Sequence, residues 1–212
     1  MFKKILKLFL PPIIPYLYLT LFSKKNNLLF DGDDSLFKQL AEEINIYGEY
    51  GCGLSTNWIL KNTSSQVISV DSSGEWVKKV KTKNNLYEPR LIIKHIDLGK
   101  VGAWGTPISY IKSYNFQNYT DFIWEQSVKP KLVLIDGRFR VCCFLTSLKL
   151  ADTGTKIIFD DYVNRPHYHF IEKYVTRIKE CGRQCLFIVP PKKDIDMDSL
   201  DKDIELFRFV MN

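Results

Sequence analysis

Apolar and polar positions along this chain switch between helical and strand spacing, and the switches mark the elements. Phe30-Asp31-Gly32-Asp33-Asp34 reads as a turn and helix cap, and Leu36, Phe37, Leu40 and Ala41 follow at helical spacing. A strand is expected around Ile44 to Gly48, a helix from Ser55 to Lys61 and a strand from Val67 to Asp71. Gly74 to Lys81 reads as helix, and Leu91 to Asp97 as a strand with alternating apolar positions. Tyr119 to Val128 is helical in pattern. The run Lys131-Leu132-Val133-Leu134-Ile135-Asp136-Gly137 is apolar without alternation, as a strand buried on both faces requires. A helix from Arg138 to Ala151, a strand from Lys156 to Phe159 and a helix from Pro166 to Glu180 come next. Gln184 to Val189 and Ile204 to Met211 read as the last strands, joined by a polar link from Pro190 to Asp203. Strands alternating with helices predict an α/β fold, a doubly wound, mostly parallel seven-stranded sheet.

The start of the chain departs from this pattern. Residues 1–29 form an apolar, basic arm ahead of a domain spanning 30–212. Pro11, Pro12 and Pro15 interrupt the apolar run, so residues 1–22 do not read as a membrane-spanning helix, which needs about 20 uninterrupted apolar residues. A basic start before an apolar run suits a signal peptide, but no small-x-small cleavage site follows. Two readings stay open. The arm packs on the domain or on a second subunit of a homo-oligomer, or it lies on a membrane surface with Lys3, Lys4 and Lys7 facing anionic lipid.

Composition narrows the classes. At 212 residues, 45% apolar and 25% charged, the chain suits one well-packed domain with little left for a second. A net charge of +6, with lysines scattered among acids, implies no nucleic-acid groove. The five cysteines have neither zinc-ligand nor disulfide-framework spacing, which suggests a reducing, cytoplasmic setting.

Two constellations carry candidate chemistry. The first is Glu49-Tyr50-Gly51-Cys52-Gly53-Leu54-Ser55-Thr56 followed, 22 positions after Glu49, by Asp71. A glycine turn between strand and helix, and an acid closing the next strand, build a nucleoside pocket in open α/β sheets. Gly51 and Gly53 permit close ligand approach, and Asp71 can accept two ribose hydroxyls. The same turn can also be a plain connection with no ligand. A dinucleotide site wants a third glycine at the helix start, where this chain has Leu54-Ser55-Thr56, and Glu49 would repel pyrophosphate.

The second constellation puts Asp136 after one apolar strand and Asp160-Asp161-Tyr162 after another, with 24 positions from Asp136 to Asp160. In a parallel sheet these acids share one rim, where they repel unless a proton or a cation neutralises them. A Mg²⁺ ion on Asp136, Asp160 and Asp161 would satisfy them and could lower the pKa of a bound hydroxyl. Ion pairs to Arg138, Arg140 or Arg165 are the other solution. His167, after Arg165, is a candidate general base, whereas His95 alternates on a strand like a satisfied core residue. Trp76 and Trp104 suit either core packing or stacking on a ligand.

The glycine turn with Asp71 resembles motif I and the acidic motif of class I S-adenosylmethionine-dependent methyltransferases. That resemblance implies S-adenosylmethionine held by Glu49 at its amine, by Gly51, Gly53, Ser55 and Thr56 at the turn, by Asp71 at the ribose and by Asp97 against the adenine. The Asp136-Gly137 and Asp160-Asp161-Tyr162 blocks resemble those of cation-dependent, macrocin-type sugar O-methyltransferases, which implies a metal on the three aspartates. Arg138-Phe139-Arg140 departs from the more acidic or aromatic segment usual there. Together with Trp76, Asp97-Leu98-Gly99 and Trp104-Gly105-x-Pro107, the motifs also resemble a bacterial methyltransferase-like family with members in cell-surface polysaccharide pathways. The implied activity is methyl transfer to a sugar hydroxyl of a glycan, with Asp136 orienting or deprotonating it. A non-catalytic scaffold of the same fold and a metal-dependent glycosyltransferase are the rivals.

Overall fold

The computed structural model describes residues 28–30 and 32–211, and most of the N-terminal arm lies outside them. Seven strands form one sheet in the order β3-β2-β1-β4-β5-β7-β6. In chain order they are β1 (Ile46–Tyr50), β2 (Gln66–Asp71), β3 (Leu91–His95), β4 (Leu132–Ile135), β5 (Lys156–Phe159), β6 (Lys179–Cys181) and β7 (Gln184–Ile188). β1 to β5 pair in parallel, and β7 runs antiparallel to both β5 and β6. The helices are α1 (Ser35–Glu42), α2 (Leu54–Asn62), α3 (Gly74–Lys83), α4 (Phe116–Asp121), α5 (Arg140–Leu150) and α6 (Met197–Phe207). The predicted doubly wound, mostly parallel sheet is therefore present.

The pleat sorts the strand side chains onto two cores. Val133 and Ile135 of β4 join Tyr50, Ile68, Val70 and Phe159 on the face covered by α5, while Leu132 and Leu134 join Tyr47, Val67 and Ile158 on the face covered by α1 and α2. α5 is buried from Arg140 to Leu148, so its apolar positions run round the helix rather than along one stripe.

Two of the predicted elements, the helix from Pro166 to Glu180 and the strand from Ile204 to Met211, differ in the structure. Ile204 to Met211 is not a strand: α6 occupies Met197–Phe207, opened by Asp196, whose side chain accepts from the Ser199 amide. Leu200 and Ile204, four apart, are the residues it buries, a helical spacing hidden among polar neighbours. The missing strand is Lys179–Cys181, inside the span expected to be helix. Pro166–Lys173 forms only a 3₁₀ turn, and the chain then turns at Gly182 (φ 58°) into β7. Tyr119 to Val128 is likewise shorter than expected, with α4 ending at Asp121 and one 3₁₀ turn at Phe122–Trp124.

Candidate functional site

Above the carboxyl ends of β1, β2, β4 and β5 lies a cavity of about 490 Å³. That is within the usual range for a small-molecule site. Its floor is Gly51, Cys52 and Gly53 from the first turn, with Asp71, Ser72 and Ser73 after β2 and Asp136, Gly137 and Arg138 after β4. Trp76 and Trp104 stand at its mouth, and Leu29 and Phe30 border it from the N-terminal side. The two predicted constellations thus meet in one cavity.

At the turn after β1, two bare backbones touch. A Cβ on Gly51 (φ +92°) would lie 2.9 Å from Gly137, and one on Gly137 would lie 2.2 Å from the Tyr119 hydroxyl. Gly51 is thus demanded by the approach of β4 as well as by its own left-handed backbone. A Cβ on Gly53 would meet open space. Asp71 is the acid of this end. Its Oδ2 accepts from the Cys52 amide at 2.8 Å and its Oδ1 from the Ser73 amide at 2.7 Å, leaving each oxygen a lone pair toward the cavity. Burial pushes its carboxyl above the ordinary range, opposed by those two amides.

Glu49 sits elsewhere. It shares its face of β1 with Tyr47, so it points under the sheet toward α2 rather than into the cavity. There it is fully buried and accepts from Tyr47 Oη at 2.9 Å, Ser55 Oγ at 2.7 Å, Ser69 Oγ at 2.9 Å and the Thr56 hydroxyl. Burial raises its carboxyl above the usual value despite these four donors. Thr56 also takes the Gly53 amide, so Glu49, Ser55 and Thr56 fix the first turn of α2. Ser55 also borders the cavity, but Glu49 and Thr56 do not. Contact between Glu49 and a cofactor amine would need that hydroxyl cage opened.

Asp97 and His167 also fall outside the cavity lining. Asp97 is half exposed, paired with Lys112 and capped by the Gly99 amide, at the base of the loop that carries Trp104. His167 is exposed, its ring 4.3 Å from that of Tyr168.

At the other end every acid meets a guanidinium. Asp160 is fully buried and held by Arg183 through Nε (3.1 Å) and Nη2 (2.6 Å), with Gln184 Nε2 at 2.9 Å. Asp161, at φ 60°, pairs with Arg165 at 2.7 Å, Arg140 at 3.2 Å and Arg183 at 3.3 Å. Arg140 is buried and holds Asp136 Oδ1 at 2.9 Å while donating to the carbonyls of Asp136, Gly137 and Asp160. The aspartates were expected to ligate Mg²⁺. Among the described residues no group of three His, Cys, Asp or Glu could hold a metal ion. Asp160 turns both oxygens to Arg183, so the donor set does not fit a cation, and positive charge already stands where it would sit. The ion-pair alternative is what the structure contains, with Arg183 added, a residue that only the β6–β7 turn brings to the rim.

No N–H or hydroxyl of the described residues donates to Asp136 Oδ2, and the Asp136 carboxyl lies within hydrogen-bond reach of the Asp160 carboxyl. Burial first, and then the Asp160 carboxylate, push its carboxyl up to about 7, against the pull of Arg140. A carboxyl poised there can exchange a proton near neutral pH.

No family model matches the chain, and neither does any curated protein. Solved structures do. A methyltransferase-like protein from Silicibacter pomeroyi is 29% identical with a TM-score of 0.73, over 82% of this chain and 92% of that one. A methyltransferase from Geobacter sulfurreducens is 13% identical with a TM-score of 0.51, over 90% and 96%. The O-methyltransferase TomG from Streptomyces achromogenes, involved in tomaymycin synthesis and solved with S-adenosylmethionine, is 13% identical at TM-score 0.51, over 74% and 77%. The fold is the methyltransferase Rossmann-like fold. In this fold the cavity lies where open α/β sheets bind their ligands, outside the carboxyl ends of the strands.

Sequence reasoning placed Asp71 and Asp136 at strand ends, where both border the cavity. It missed Ser72, Ser73 and Tyr119, which carry no motif, and it missed Arg183. Among the described residues no helix is long and apolar enough to cross a membrane.

Proposed function

We propose that this protein transfers a methyl group from S-adenosylmethionine to a hydroxyl oxygen, and that the acceptor is a sugar of a surface glycan or its precursor. The observation that carries the proposal is the pairing, in one cavity, of Asp71 with two open lone pairs and Asp136, whose Oδ2 takes no N–H or hydroxyl from the described residues and whose pKa is raised. The likeness to the Silicibacter protein supports the methyltransferase part, and the resemblance to macrocin-type enzymes supports the sugar.

The residues present fit the cofactor. Asp71 accepts the ribose hydroxyls, Gly53 leaves room for the chain beside them, and Trp76, nearly half exposed at the mouth, offers a face to the adenine. S-adenosylmethionine supplies a methyl group on a positive sulfur, open to in-line attack. Asp136 Oδ2 takes the proton of the acceptor hydroxyl as its oxygen attacks, and Arg140 holds Asp136 in place through Oδ1. Alignment of the two reactants supplies much of the rate.

Titration calorimetry of S-adenosylhomocysteine into the purified protein tests the cofactor. Micromolar binding, about −8 kcal/mol, is expected. Absence of binding overturns the methyltransferase reading and leaves the cavity to a scaffold role or another ligand.

A further inference from the structure

The cavity contains two features that the cofactor reading leaves unused. The first is Arg138. Among the described residues it is the one guanidinium bordering the cavity that forms no ion pair: Arg165 and Arg183 are both tied to Asp160 or Asp161. Its Nη1 donates only to Thr106 Oγ1, at 3.1 Å, and its Nε is enclosed with no partner. An enclosed donor on a permanent cation is costly unless something accepts from it.

The second feature is Trp104. It is 86% exposed, borders the cavity, and stands in the left-handed region at φ 58°, a strained conformation for a bulky side chain. Strain of this kind persists only where the surroundings impose it, and here they do. The Gly102 amide donates to the Thr106 carbonyl at 2.8 Å, Val101 and Pro107 form a bridge, and Ser72 Oγ ties the Gly105 carbonyl at 2.9 Å. The loop is therefore pinned so as to hold an indole out over the cavity. Thr106, two residues on, is the contact to Arg138, so indole and guanidinium belong to one rigid wall.

We infer that this wall is the acceptor subsite and that it takes an acidic sugar, the ring lying against Trp104 and its carboxylate or phosphate meeting Arg138. The inference rests on the methyltransferase reading above. A flat aromatic face suits the apolar face of a pyranose, and a guanidinium fork binds carboxylate or phosphate through paired hydrogen bonds. Arg138 stands on the floor beside Gly137 and the Trp104 loop is tied to Ser72, so this subsite adjoins the end of the cavity that holds Asp71.

The experiment uses protein saturated with S-adenosylhomocysteine and three probes: glucuronic acid, glucose 6-phosphate and glucose, followed by saturation-transfer NMR and titration. The unmodified protein should bind at least one acidic probe ten-fold or more tightly than glucose, and which one it prefers identifies the anion as carboxylate or phosphate. Arg138→Gln should abolish that preference while keeping its affinity for S-adenosylhomocysteine. Trp104→Ala should weaken all three probes together. Equal binding of acidic and neutral probes, or a preference that survives Arg138→Gln, overturns the inference. Loss of S-adenosylhomocysteine binding in Arg138→Gln overturns it too, since the anion would then be the cofactor's own carboxylate. Failure of the unmodified protein to bind S-adenosylhomocysteine at all is a different result, and it removes the methyltransferase reading instead.

Discussion

The two ends of the cavity, and the layer beneath its floor, satisfy their carboxylates by different means. Around Glu49 and Asp71 the oxygens are met by hydroxyls and backbone amides supplied within residues 47–73. Around Asp136, Asp160 and Asp161 they are met by guanidiniums from α5, the 3₁₀ turn after β5 and the β6–β7 turn, up to 47 positions from Asp136. Neutral donors leave Asp71 as a hydrogen-bond acceptor for a polar ligand. Charged donors pin Asp160 and Asp161 in place and leave only Asp136 with chemistry to perform. The first end is thus suited to holding, the second to reacting.

Substitutions can break that division. Asp136→Asn should have the largest effect, lowering kcat by about 10²- to 10⁴-fold, as expected for loss of a general base, while S-adenosylhomocysteine affinity stays within a few-fold. In the unmodified protein, methyl transfer should rise with pH through about 7 and level off above it, because only the ionised carboxylate accepts a proton. The same raised pKa sets a stability trend. The folded state holds this proton more tightly than the unfolded chain, so the stabilisation is full below the ordinary carboxylate range and is lost as pH climbs to about 7. Asp136→Asn should flatten that trend in chemical denaturation across the window; an unchanged slope would remove the pKa assignment.

Arg140→Ala comes next. Removing a buried guanidinium that serves Asp136, Asp161 and three carbonyls should destabilise the fold by about 3–5 kcal/mol, read from denaturant midpoints. Arg140→Lys should recover little, since an ammonium cannot reproduce the fork. At the other end, Asp71→Ala should weaken S-adenosylhomocysteine by about 100-fold, two charged hydrogen bonds at roughly 1.5 kcal/mol each. Undiminished affinity would remove the ribose assignment.

The two smallest effects sharpen the comparison. Glu49→Gln should leave S-adenosylhomocysteine affinity unchanged and move stability by only about 1 kcal/mol, since an amide still accepts from the hydroxyl cage. A ten-fold loss of affinity would instead return Glu49 to the cofactor. A chelator such as EDTA should leave the transfer rate unaltered, because guanidiniums already neutralise the aspartates; a chelator-sensitive rate restored by Mg²⁺ would contradict the geometry.

Legibility followed the range of the interactions involved. The glycine turn, Asp71 and Asp136 could be read because a parallel strand delivers its next residue to a common rim wherever the strand lies in the sheet. Glu49 was expected at the cofactor amine, and the signal for its place under the sheet was also available: it stands two positions after Tyr47 and one before Tyr50, and the period-2 alternation puts it on the Tyr47 face. The strand expected at Ile204 to Met211 and the helix expected at Lys179 failed because short polar segments carry weak periodicity. Lys179–Cys181 is a strand only because β7 pairs with it.

What the sequence determined by itself is the order of the elements through β5, the buried β4 run and the aspartates at the ends of β2, β4 and β5, all set by local periodicity and by glycines at crowded turns. Tertiary structure alone decided the distant charge pairs. Asp136–Arg140 and Asp161–Arg165 are local pairs four positions apart, but Arg183 reaches Asp160 and Asp161 from the β6–β7 turn, Arg140 reaches Asp161 from α5, and among the described residues Arg138 forms no ion pair. The physical reason is that a guanidinium's distant partner is set by where the packed elements bring its side chain, and no spacing along the chain encodes that.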